Sequence, residues 1–99
     1  MTNAVDVLAV GGPANGRMWC VNKAAGAMPS TVQVISQGVL TYPLTKWWCE
    51  VTQRWYWIAR RDVDQVTDAD IYWEVVLHNF QPAWDLRDLP APDQENDNG

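Results

Sequence analysis

Four tryptophans, Trp47, Trp48, Trp55 and Trp57, fall close together in the chain, and three arginines, Arg54, Arg60 and Arg61, flank the second pair. An indole presents a large apolar face with one N–H donor, and a guanidinium stacks on such faces or pairs with anions. This set suits binding rather than bond making. It could anchor a protein partner, as Trp, Tyr and Arg do at interface hot spots, or it could stack the bases of a nucleotide or single strand while the arginines meet phosphate. On a strand, neighbours Trp47 and Trp48 must leave opposite faces. By the same alternation Trp55 and Trp57 share one face, while Tyr56, Ile58 and Arg60 share the other, so one set forms core and the other is left for contact. The competing reading is that the rings simply fill the core of a small domain.

Other reactive groups are sparse. Nucleophilic catalysis needs a Ser or Cys beside a base, and the sole histidine, His78, falls in a helical pattern next to Glu74, where a surface role accounts for it. A triad of Cys20, His78 and Asp70 has no support in spacing. Cys20 and Cys49 belong to no C-x-x-C pair, and with His78 they supply too few ligands for a zinc finger. They read as thiols and small core residues, with no metal or other cofactor expected. Glu50, Asp62, Asp64, Asp68 and Asp70 lack the glycine and terminal glutamate of a calcium loop. Gly11-x4-Gly16-Arg17 superficially resembles a phosphate loop, but Arg17 and Met18 replace the required Lys and Ser/Thr, and strand formers follow. No enzyme is expected.

The elements that would position these residues follow from pattern. Val5–Val10 and Arg17–Val21 read as two strands joined by a turn at Gly11–Gly16, with Pro13 pre-setting one turn position and Asn15-Gly16 suited to positive φ. Residues 22–30 read as a mobile loop and Thr31–Ile35 as a third strand. Val39–Thr45, with Pro43 inside it, suits an edge or an irregular connection. Trp47–Thr52 and Trp55–Arg60 have hairpin spacing without the usual glycine, which leaves a longer loop or one bent strand open.

Thr67 and Asp70 form a capping-box pattern, with Val66 placed to staple onto Ile71, so a helix starts there and runs through Phe80. Its apolar residues cover most of the circumference and leave Glu74 and His78 as a narrow polar strip, so it needs cover on several sides. Strand-forming Ile71-Tyr72-Trp73 and Val75-Val76 keep a strand as the alternative. Trp84 is expected to fold back onto the sheet. The expected fold is α+β: a small antiparallel sheet of four to five strands with one C-terminal helix packed on it, a single domain and core over residues 1–89, and a disordered acidic tail over 90–99.

The chain has 99 residues and a net charge of −5. Residues 85–99 hold five carboxylates against one arginine, leaving the body nearly neutral, without the net basic face that phosphate binding favours. No apolar run is long enough to span a bilayer, and the opening Met1–Asp6 lacks signal-peptide character, so a cytoplasmic protein without membrane contact is expected.

Val10-Gly11-Gly12-Pro13-Ala14-Asn15-Gly16-Arg17 resembles the opening of a loose group of small phage and prophage proteins, which begin with a strand, a Gly-Gly-Pro-x-Asp/Asn-Gly turn and a second strand. Their middle Tyr- or Trp-containing strand is similar to Trp55–Ala59. The resemblance implies a phage accessory protein in a host cytoplasm, a class in which inhibitors of host machinery or defence are frequent. The leading expectation is thus a stoichiometric binder of a host or phage protein. A nucleotide or single-stranded nucleic-acid sequestering module is the alternative, and a structural virion component a weaker one. Symmetric burial of the tryptophan patch would make a homodimer.

Overall fold

Strands β1 (Ala4–Val10) and β5 (Arg54–Arg60) run side by side through the middle of the sheet, and each carries a continuous apolar run, Val7–Val10 and Trp55–Ala59. A computed structural model describes residues 4–23, 28–36, 38–61 and 65–92. Around the central pair lie β2 (Met18–Asn22), β3 (Thr31–Ser36) and β4 (Gly38–Cys49), in the order β2-β1-β5-β4-β3, with one α-helix, α1 (Asp68–Leu77). The fold is α+β, as the patterns imply. The sheet is mostly antiparallel, but β1 pairs with β5 in parallel through Leu8↔Ile58, Ala9↔Ala59 and Val10↔Arg60. Two hairpin units, β1–β2 and β3–β4–β5, are joined by that pairing, which no local sequence signal specifies. Among the described residues no helix is long and apolar enough to cross a membrane.

The central strands bury side chains on both faces, so the apolar interior is two clusters rather than the single core expected from chain length. Leu8, Val10, Tyr56 and Ile58 pack with Ile71 and Val75 of α1 and with Cys49, Val66 and Phe80. On the opposite face Val7, Ala9 and Ala59 pack with Val32, Val34, Tyr42 and Leu44. The second cover exists because β4 changes partners along its length. Gly38–Pro43 pair with β3, whereas Leu44–Cys49 pair with β5. Pro43 sits at the hand-over, opposite the first residue of β3, where a missing N–H costs little. An edge or irregular segment was expected around Pro43; a 12-residue strand lying between two others is found instead. The sheet curls there, laying β3 and the first half of β4 over the second face.

The curl is tied to the first hairpin by Tyr42. Its ring is fully buried, and its hydroxyl donates to the Gly11 carbonyl at 2.7 Å and accepts from the Ala14 amide at 3.0 Å. The hairpin turn is a single 3-10 turn over Gly12–Ala14. Gly11 takes φ +96°, a region that side chains disfavour, but Asn15 does not adopt positive φ as expected. Instead its side-chain oxygen accepts from the Gly11 amide at 2.7 Å. Gly16 has φ +88° and faces the helix so closely that a Cβ there would lie 3.0 Å from His78 Nε2.

The β4–β5 connection is a longer turn than two residues: Cys49 pairs with Arg54, and Gln53 takes the positive φ that a glycine would usually supply. Helix α1 starts at the expected capping box, with Thr67 Oγ1 accepting from the Asp70 amide and Asp70 Oδ2 from the Thr67 amide. It ends at Leu77, three residues early, because Asn79 turns to positive φ and sends the Phe80 amide back to the Val75 carbonyl. Of the expected loop, residues 24–27 lie outside the described residues. So do Asp62 and Asp64, and residues 93–99 of the acidic tail.

Two stability effects follow. Tyr42→Phe leaves the Gly11 carbonyl and the Ala14 amide without their partner and is expected to cost roughly 1–3 kcal/mol in denaturant unfolding. Thr67→Ala removes the cap and is expected to cost about 1 kcal/mol in the same assay.

Candidate functional site

Strand alternation separates the four central tryptophans as expected. Trp47 points to the helix side, where its Nε1 donates to Asp68 at 3.1 Å and its ring lies 5.9 Å from Tyr56. Trp48 points the other way and meets Trp55 edge-on at 5.4 Å, with Lys46 Nζ 5.5 Å from the Trp55 ring. Tyr56 and Ile58 on the helix side and Ala59 on the other are the core members of β5.

Trp55 and Trp57 are half-buried beneath the segment that follows the helix. Trp57 Nε1 donates to Asp85, whose carboxylate also pairs with Lys23 at 3.1 Å and is almost completely buried. Trp55 Nε1 donates to the Pro90 carbonyl, and the Ala83 amide donates to the Trp55 carbonyl. Trp84 does fold back, giving its Nε1 proton to the Ala4 carbonyl, although its ring remains half-exposed.

The three arginines do not gather around these rings as one set; Arg60 shares the Asp68 carboxylate with Trp47. Arg60 reaches the Val66 carbonyl at 2.7 Å on the helix side, and Arg61 lies 5.9 Å from the Tyr42 ring. Arg54 is the first residue of β5, beside a cleft shared with Trp84, Arg87 and Asp88. The expected binding set therefore divides: Trp47 with Arg60 on one face, Trp48, Trp55 and Trp57 on the other, and Arg54 and Arg61 apart from both.

The residues that come together are on the helix. Trp73, Val76 and Leu77 are 67%, 51% and 72% exposed, and with exposed Ala69 they recur at the spacing of one helix face. Helix cover on several sides was expected; among the described residues the face of Ala69, Trp73, Val76 and Leu77 is left exposed. Glu74 and His78, expected as the exposed polar strip, face the first hairpin at Gly16 and are hydrogen-bonded to each other at 3.1 Å.

Two clefts flank this face. One, of about 220 Å³, is lined by Trp47, Trp48, Val51, Ala69 and Tyr72 with the carboxylates of Glu50 and Asp68. The other, of about 320 Å³, lies between the helix and Gly11-Gly12 and is lined by Trp73, Asp70 and Glu74. The Tyr72 and Trp73 rings, 6.5 Å apart, join the two. Trp73, Val76, Leu77 and Val51 were absent from the expected site. The available signal was the helix itself, whose apolar residues exceed what one sheet face can cover.

A third cleft brings Asp6, Cys20 and His78 together, without Asp70. Cys49 is buried as expected, but Cys20 is exposed, and both are free thiols. The Cys20 thiol donates to Asp6 Oδ1 at 3.1 Å, and this hydrogen bond, with the carboxylate's charge, holds the thiol above its ordinary pKa. That is the reverse of nucleophile activation. No family model, curated protein or solved structure matches the chain.

Alkylation tests the Cys20 environment. Because the raised pKa keeps the thiol protonated, labelling should rise only at higher pH than for an ordinary cysteine. Asp6→Asn should move the labelling profile to lower pH; an unchanged profile would show that the carboxylate does not act on the thiol.

Proposed function

We propose that this chain is a non-catalytic protein-binding domain, acting by stoichiometric association through the outer face of α1 and the adjoining Trp47/Trp48/Tyr72 cleft. The observation that carries this reading is the exposure of Trp73, Val76 and Leu77 on one helical face, next to exposed Val51. A contiguous apolar patch on a small domain is unfavourable in water unless something covers it, and such patches mark contact sites. Trp47 and Tyr72 are each half-buried and packed against the core, so they offer rigid surface with little ordering entropy left to lose on binding. The resemblance of the Gly11–Gly16 turn to phage accessory proteins makes a host or phage protein the partner in this reading.

The nucleic-acid alternative gains little from the geometry: of the expected rings and arginines only Trp47 and Arg60 share a face, and there both are engaged with the Asp68 carboxylate. The clefts beside the exposed rings are lined by carboxylates, which repel phosphate.

A pull-down comparing the wild-type chain with Trp73→Ser tests the proposal. Trp73 contributes little to the core, so the variant should keep its melting temperature. It should lose the retained partner, with an affinity loss of about 2 kcal/mol, roughly thirtyfold in Kd. Recovery of the same proteins by both forms would refute the assignment of this face.

A further inference from the structure

We infer that the segment docking on this face is cationic as well as apolar: a stretch of partner protein that places an apolar side chain in the Trp47/Trp48/Tyr72 cleft and Lys or Arg residues on either side of it. The inference rests on the protein-binding reading and adds the chemistry of the partner. Glu50 and Asp68 line the cleft on one side of the helix, and Asp70 and Glu74 line the cleft on the other. Among the described residues no Lys, Arg or His lines either cleft. One of the four carboxylates has a cationic neighbour, Arg60 Nη1 at 3.9 Å from Asp68, and Glu74 is hydrogen-bonded to His78. Among the described residues Glu50 and Asp70 have no cation within salt-bridge distance.

Three of these carboxylates are held in place before any partner arrives. Asp70 is fixed by the Thr67 amide, Asp68 accepts from Trp47 Nε1, and Glu74 is bonded to His78. A docking Lys or Arg would meet carboxylates whose ordering cost is already met by the fold. The exposed Trp73 ring beside Asp70 and Glu74 offers the same cation a π-face. Anionic lipid surfaces and nucleic acids meet the same carboxylates with the wrong sign.

The test uses two synthetic amphipathic peptides with identical leucine positions, one with lysine and one with glutamate on the polar face, titrated calorimetrically into the full chain. The leucine–lysine peptide should bind about tenfold more tightly than its counterpart, and high salt should weaken it by a similar factor. Glu50→Lys, a substitution in the exposed β4–β5 turn, should narrow or reverse the preference. Trp73→Ser should weaken the leucine–lysine peptide by about tenfold or more.

Equal binding of both peptides, lost in Trp73→Ser, would overturn the cationic assignment while leaving the contact surface standing. Lysine-dependent binding indifferent to Trp73→Ser would place the cation elsewhere on the chain and also overturn it. Failure of the wild-type chain to bind the leucine–lysine peptide would remove this partner class, and the Trp73 pull-down would still decide the surface separately.

Discussion

The parallel pairing of β1 with β5 sets the requirement that the remaining elements meet. Both strands send apolar side chains to both faces, Val7, Leu8, Ala9 and Val10 from one and Tyr56, Ile58 and Ala59 from the other, all fully or almost fully buried. Burying such side chains stabilises by roughly 1.5–3 kcal/mol for each large aliphatic residue, so neither face can be left to water. A short chain has to find two covers. One is α1, seated on Leu8, Val10, Tyr56 and Ile58. The other is built from the sheet itself, by the partner change of β4 and the curl that Tyr42 ties to the first hairpin, and is extended by the segment from Ala83 to Pro90 over Trp55 and Trp57.

That division explains why the working surface moved. Trp55, Trp57 and Trp48 had the look of a platform, but the platform already has a lid: Asp85 reaches the Trp57 indole and Lys23 together in a largely buried arrangement. Removing one member of such a group leaves a charge without its partner, which is why these contacts read as closure of the fold. Once both sheet faces are covered, no described element remains for the far side of the helix. The apolar residues there stay in water, although their type is that of a core.

Much of the local structure was legible because its causes are local. The first hairpin is written in Gly11-Gly12-Pro13, the helix start in Val66, Thr67 and Asp70, and the opposite facing of Trp47 and Trp48 in strand geometry alone. What was not legible depends on pairing distant in sequence. Pro43 read as the mark of an edge or an irregular connection, since its tolerance inside a strand depends on standing opposite the end of β3. The β1–β5 pair has no turn to announce it. The helix surface was misjudged because an apolar residue on a helix carries no mark of whether a neighbour exists to cover it, and the number of layers is decided by the curl of β4. The continuous apolar runs of β1 and β5 were the available clue, since strands buried on both faces lose the alternation of half-exposed ones.

The carboxylates beside the exposed face illustrate how one set of residues serves two requirements. Asp68 and Asp70 lie in the first helical turn, where negative charge complements the helix dipole and the free amides need acceptors. Stability alone therefore accounts for their presence. It does not account for their company. A capping group works equally well on a polar surface, whereas here the capping end of the helix is flanked by Trp47, Tyr72 and Trp73, with Glu50 brought up from the β4–β5 turn and Glu74 one helical turn further on. Exposed indoles beside carboxylates that are already oriented combine apolar area with directed charge on a pre-formed surface. That combination selects for partners carrying both properties, and it does so at the face the two-sided core leaves uncovered.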